Sequence, residues 1–145
     1  MTDDQDIQFA SDLRNAMIRV IKKLRKESPT GSGLSLTERS TMALLHQNKA
    51  MLPSELAASE MITNQSMSQV LNHLSELGFI IRTASDTDKR KVNISLSELG
   101  ESTLLQFRHE RDEWLAGAIS RACTIEEREL LKQVIVPLGK IVDLK

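Results

Sequence analysis

Residues 53–96, PSELAASEMITNQSMSQVLNHLSELGFIIRTASDTDKRKVNISL, decide the fold of this chain. In the middle of the stretch, apolar residues recur every three or four positions, which predicts a helix with one face in a core. These residues are Met67, Val70, Leu71, Leu74 and Leu77. Thr63 is placed to cap the start of this helix, and Gly78 is placed to end it.

The opposite face of the same helix carries uncharged hydrogen-bonding side chains instead of the lysine and glutamate mixture of an ordinary surface. They are Gln65, Ser68, Gln69, Asn72 and His73. Glutamine and asparagine side chains match the donors and acceptors on base edges, so this face suits the major groove of DNA. On spacing alone, a merely solvated helix face remains the alternative.

A short helix is predicted before this helix, and a β-hairpin is predicted after it. Pro53 suits the first turn of a short helix over residues 53–62. After Gly78 the pattern alternates, so residues 79–84 and 92–96 are predicted to form a hairpin. A helix, turn, helix and hairpin in this order indicate a winged helix-turn-helix, whose hairpin reaches phosphates or the minor groove. Thr63 and Ser66, beside the free N–H groups of the helix start, favour a phosphate contact.

Longer helices are predicted on both sides of this unit. Apolar spacing and capping signals place them at residues 7–26, 36–47, 98–122 and 125–143. The loop SPTGSG at 28–33 ends the first helix, and Pro137 predicts a kink or stop near Val136 in the last. We therefore expect a single domain over residues 1–145, with a DNA-binding lobe at 35–97 and flanking helices at 5–27 and 98–145 that pair in a homodimer.

Composition excludes several classes of function. The chain has 145 residues with 19 basic and 20 acidic side chains, so overall charge gives no argument for nucleic-acid binding. No apolar run is long enough for a membrane span and the N-terminus is acidic, which predicts a cytoplasmic protein. One cysteine and three scattered histidines match no metal site, no cofactor is implied, and no catalytic pair stands out. Cys123 is expected to be a buried, inert thiol.

Four motifs stand out along the chain, namely LT at 36–37, SELA at 54–57, LSELGFI at 74–80 and DTDKRKVNISLSELG at 86–100. Together they resemble the MarR (multiple antibiotic resistance regulator) family of dimeric transcription regulators. The last motif resembles the wing of the family, with an aspartate-rich tip, a basic pair and alternating apolar residues. The resemblance covers nearly the whole chain, because the flanking helices fall where the family has its dimerisation helices. It implies a ligand-responsive repressor that binds an inverted-repeat operator as a homodimer.

The resemblance also implies roles for individual residues. Arg90 would enter the minor groove, positioned by Asp88. The residues that would face the major groove are Gln65, Ser66, Ser68, Gln69 and His73. Those that would contact phosphates are Thr63, Asn64, Arg82, Lys89 and Lys91. In the family, small and often anionic aromatic compounds bind at the junction between the dimerisation helices and the winged lobe. We expect any such pocket in this chain to be bounded by the first, second and fifth helices.

Two departures from the family pattern keep an alternative open. Many relatives carry arginine where Gln69 and His73 stand, so this recognition helix is unusually uncharged. Residues 60–96 contain four acidic and four basic side chains, which sum to zero and predict weak, salt-sensitive phosphate attraction. The alternative is a winged-helix protein-interaction module, or anti-regulator, with little affinity for DNA.

Overall fold

A computed structural model of the chain describes residues 2–31 and 33–145. Over these residues the chain forms six α-helices, a 3-10 turn at Pro29–Gly31 and a three-stranded antiparallel sheet. The helices are α1 Asp4–Lys26, α2 Leu36–Asn48, α3 Pro53–Glu60, α4 Asn64–Glu76, α5 Glu98–Ala122 and α6 Ile125–Val142. The strands are β1 Ala50–Met51, β2 Ile80–Ala84 and β3 Val92–Leu96. The predicted mainly α, winged helix-turn-helix fold is confirmed, while Ser32 of the predicted loop 28–33 lies outside the described residues.

Helix starts follow the capping signals of the sequence. The Ser35 hydroxyl accepts from the Glu38 N–H at 3.0 Å, and the Glu38 carboxylate accepts from the Ser35 N–H at 3.3 Å. Thr124 and Glu127 form the same reciprocal box at the start of α6. Each box satisfies donors that have no partner inside their own helix, so both predicted starts are confirmed.

Two helix boundaries differ from the prediction by two residues or more. Helix α1 begins at Asp4 and not at residue 7, because the Asp3 carboxylate accepts from the Asp6 N–H at 2.8 Å and caps an earlier turn. Helix α3 ends at Glu60 and not at residue 62, because Met61 adopts the left-handed conformation with φ 55°. Apolar spacing reports neither a side-chain cap nor a residue in the left-handed conformation.

Pro137 does not stop the last helix. Helix α6 continues through it to Val142, so of the predicted kink or stop near Val136, the stop is wrong. Proline removes a single N–H donor, which leaves the carbonyl of Gln133 without its helical partner. Since both residues are exposed, water can satisfy that carbonyl, and the helix continues.

The sheet contains one strand more than the predicted hairpin. Strand β3 lies in the centre, with β2 on one edge and β1 on the other. Ala84 pairs with Val92 near the wing tip, and Met51 pairs with Ile94 on the other edge. A two-residue strand has no alternating pattern to detect, so β1 was missed. Its pairing fixes the base of the wing to the segment between α2 and α3.

The core joins the winged unit to α5 and leaves the outer helices uncovered. Phe107 and Leu104 of α5 are fully buried against apolar residues of α2, α3, α4 and β3. In the single chain neither α1 nor α6 has a buried residue. Cys123, expected to be buried, is only half-buried, because it lies at the end of α5 beside the exposed α6.

The segment after α1 is anchored to α5 by hydrogen bonds. The buried Ser28 hydroxyl donates to the Phe107 carbonyl at 3.1 Å, and the Thr30 N–H donates to the Glu110 carboxylate at 3.1 Å. The Thr30 hydroxyl donates to the same carboxylate and is the main reason that the pKa of Glu110 lies below its usual value. Thus α1 is held in place chiefly through this turn and α5.

Candidate nucleic-acid interface

Helix α4 separates a buried face from an exposed face, as predicted, except at its end. Val70 is half-buried, and Leu77, predicted for the buried face, is exposed because it is the C-cap residue after Glu76. Met67, Leu71 and Leu74 are fully buried, whereas the polar face is exposed at Gln65, Ser66, Ser68, Gln69 and Asn72. At the start of the helix, the Thr63 hydroxyl accepts from the Ser66 N–H at 3.0 Å. Asn64 is exposed in the same turn. The unpaired N–H groups of this turn give it a partial positive charge suited to a phosphate.

His73 differs from the other polar residues of α4. Its Nδ1 lies 3.0 Å from the Glu38 carboxylate of α2, and that carboxylate is largely buried. One ring nitrogen is therefore directed at α2, although His73 was predicted to face the major groove. Sequence spacing gave no signal for this pair, because 35 positions separate the two residues.

The wing presents its basic residues at its tip. Lys89, Arg90 and Lys91 are exposed, and the Arg90 side chain is 91% accessible. The Asp88 carboxylate accepts from the Arg90 N–H at 3.0 Å and from its Nε at 3.3 Å. Asp88 thus has the geometry required to orient Arg90, while the outer guanidinium nitrogens stay free of this contact.

A side-chain contact connects the wing to α4. The Arg82 Nη2 donates to the Asn72 Oδ1 at 3.0 Å, which links the base of the hairpin to the exposed face of the helix. The structure therefore brings Arg82, predicted as a phosphate contact, next to the polar face of α4. Asn72 was on the predicted polar face but was omitted from the predicted binding residues.

Comparison with known proteins identifies the family of this chain. The sequence pattern of the MarR family matches residues 34–92, from the start of α2 to β3. An uncharacterized HTH-type transcriptional regulator of Mycobacterium bovis is 34% identical over 142 residues, covering 97% of this chain and 96% of its own. The chain belongs to the MarR family. Proteins of the MarR family are DNA-binding transcriptional regulators that act as dimers, and they are not enzymes.

Other transcriptional regulators are similar to this chain in sequence or in structure. A crystal structure of a transcriptional regulator protein from Pseudomonas aeruginosa superposes with a TM-score of 0.87 at 26% identity, covering 99% of both chains. The HTH-type transcriptional repressor YetL of Bacillus subtilis is 34% identical over 79 residues, covering 53% of this chain and 47% of its own. Within the described part of the chain, no helix combines the length and apolar character needed to cross a membrane.

Proposed function

We propose that this MarR-family protein is a homodimeric repressor that binds an inverted-repeat operator and releases it when a small anion binds. One observation carries the proposal: the same lobe exposes both the uncharged polar face of α4 and a wing with Arg90 at its tip. A repressor among the relatives, YetL, supports the direction of regulation.

The proposed contacts with DNA divide by their chemistry. Gln65, Ser68 and Gln69 read base edges, because their amide and hydroxyl groups are exposed and uncharged. Thr63, Asn64, Lys89 and Lys91 position the lobe on phosphates, and Arg90 enters the minor groove. Ser66 lies between the two groups, with its N–H already bonded to Thr63. His73 contributes through its second ring nitrogen, since Nδ1 is directed at Glu38.

An electrophoretic shift with the upstream region of the protein's own gene tests this function. We expect a shifted complex that survives an excess of unrelated DNA, because base contacts and not bulk charge dominate this neutral lobe. Absence of any shift at low salt would contradict the proposal and favour the protein-interaction module.

The homodimer is proposed from the uncovered outer helices. Exposed apolar residues on α1 and α6 include Ile7, Phe9, Ile135, Val136 and Ile141. A twofold pair covers such surface with one self-complementary contact. The two α4 helices then meet successive major grooves about 34 Å apart on an inverted repeat.

A charge placed in this surface is expected to separate the dimer. Ile141→Glu introduces a carboxylate where the partner's apolar side chains pack, so light scattering should give the mass of a single chain. The neighbouring exposed residue supplies the control, because Lys140→Glu keeps the apolar surface. An unchanged dimer mass for Ile141→Glu would show that α6 lies outside the subunit contact.

The anion response is proposed from an incompletely paired arginine between the first, second and fifth helices. Arg39 is 4% exposed and donates to the Gly31 carbonyl, but its Nε and Nη1 have no hydrogen-bond partner among the described residues. Burial is the main cause that lowers the pKa of Arg39, and the charges of Arg111 and Arg25 lower that pKa further. A buried cation without a counter-charge favours binding of an anion.

The surroundings of Arg39 fit a small aromatic anion. Arg39 and Arg111 both lie against the buried Phe107 ring, at 5.4 and 5.1 Å from its centre. A cavity of about 300 Å³ opens beside Arg39. Its lining is cationic and partly apolar, and consists of Lys22, Arg25, Lys26, Gly33, Leu34 and Arg39.

Benzoate is a suitable probe of this site. Saturating benzoate should raise the melting temperature of the parent protein by a few degrees, the rise expected of about 1–2 kcal/mol of binding. Arg39→Met should abolish that rise, whereas Arg14→Met, at an exposed position of α1, should retain it. Neutral benzamide should raise neither melting temperature. An equal rise in Arg39→Met would place the anion elsewhere.

A further inference from the structure

We propose that Asn72 determines base specificity and that Arg82 positions it for that role. Arg82 occupies the carbonyl oxygen of Asn72, so the amide nitrogen is left to donate to an acceptor in the major groove. The inference rests on the proposed reading of DNA by α4, and it adds two residues with distinct tasks.

The chemistry of the pair fixes the orientation of the amide. The Arg82 Nη2 lies 3.0 Å from the Asn72 Oδ1. A guanidinium has donors and no acceptor, so only the oxygen of the carboxamide can face it. The Asn72 NH₂ group must then point away from Arg82. The contact uses one of the two lone pairs of the oxygen and turns that oxygen towards the wing, so Asn72 presents chiefly its donors on the side away from Arg82.

The position of Asn72 places those donors in the polar row of α4. Asn72 follows Ser68 and Gln69 by four and three residues and is exposed as they are, so it continues their face by one turn. Arg82 approaches from a well-anchored strand, since it pairs in register with the fully buried Ile94. The orienting group therefore belongs to the base of the wing and not to its tip.

The orientation predicts which base is preferred. A free asparagine pairs with adenine through both ends of its amide, accepting from N6 and donating to N7. When Arg82 holds the oxygen, guanine becomes the better partner, because its N7 and O6 are neighbouring acceptors. One position of each half-site should therefore favour guanine, at a place set by the last exposed turn of α4.

Selection of bound sequences from a randomised operator pool tests the pair. The parent protein should favour guanine at one position of each half-site, and Asn72→Ala should reduce that preference by about tenfold. Arg82→Ala should change the preference at the same position from guanine towards adenine, because the freed amide regains its acceptor. The double variant should behave as Asn72→Ala alone.

Lys89→Ala provides the matched control, because Lys89 is an exposed wing cation. It should weaken binding to all sequences alike and leave every base preference unchanged. Melting temperatures of the variants confirm that each surface change leaves the fold intact.

The outcomes separate this inference from the proposed function. If Arg82→Ala leaves the preference at the Asn72 position unchanged, the positioning role is overturned. If Asn72→Ala alters no preference while the parent still selects an operator, the specificity role is overturned and the proposed function stands. A parent protein that selects no sequence overturns both.

Discussion

Gly100→Ala is expected to destabilise the fold by about 3 kcal/mol, the upper part of the range for overpacked sites. A Cβ at position 100 would lie 2.1 Å from the Phe79 carbonyl oxygen and 2.9 Å from its carbon. Both are backbone atoms, so no side-chain rotation relieves the clash. The same carbonyl accepts from the Ser97 N–H at 3.0 Å, and a shift would disrupt the start of α5. Urea unfolding followed by circular dichroism measures the change in the free energy of unfolding.

Gly139→Ala is the matched control for this substitution. Gly139 is also helical, but a Cβ there would meet no described atom within 4 Å. Alanine should therefore stabilise α6 by about 0.5–1 kcal/mol through its higher helix propensity. If Gly100→Ala unfolds at the urea concentration of the parent protein, the close approach of α5 to Phe79 is incorrect.

Arg90→Ala is expected to lower operator affinity by roughly ten- to hundredfold, because a dimer loses one arginine contact at each half-site. The dependence of binding on salt should also decrease, by about two units in the log–log slope, since the dimer loses two cations that displace counterions from the DNA. Fluorescence anisotropy with a labelled operator at several salt concentrations measures both quantities. Equal affinities for parent and variant would remove Arg90 from the interface.

Asp88→Asn separates positioning from bulk charge. The substitution removes a negative charge next to the DNA, so simple electrostatics predicts tighter binding. Asp88 also accepts from the backbone and the Nε of Arg90, and an amide holds these donors less strongly. We therefore expect weaker operator binding. Tighter binding would show that Asp88 does not position Arg90.

Local signals in the sequence were sufficient for most of the winged unit. Thr63, Ser35 and Thr124 mark helix starts through hydrogen bonds that span three residues, so neighbouring sequence specifies them. Apolar residues recur every three or four positions in α4 and at every second position in β3, so the spacing alone indicates a helix and a strand. The order of these elements then indicated the fold.

Contacts between distant segments were not predictable in the same way. The Glu38–His73 and Arg82–Asn72 pairs depend on how α2, α4 and β2 pack together, and no periodicity encodes that packing. Strand β1 exists because β3 offers it a partner, not because its two residues prefer strand. The incomplete pairing of Arg39 depends on burial under a turn of another segment.

The central place of β3 in the sheet limits how the protein can respond to a signal. Both edges of β3 are hydrogen-bonded, and only Ser97 separates it from α5. A rotation of α5 is therefore expected to move the wing with it. In the proposed dimer, such a rotation would change the distance and the angle between the two DNA-binding lobes. Each lobe would continue to recognise the same bases. On the proposed function, the protein would then respond to the twist and length of the DNA between its half-sites separately from the bases within each half-site.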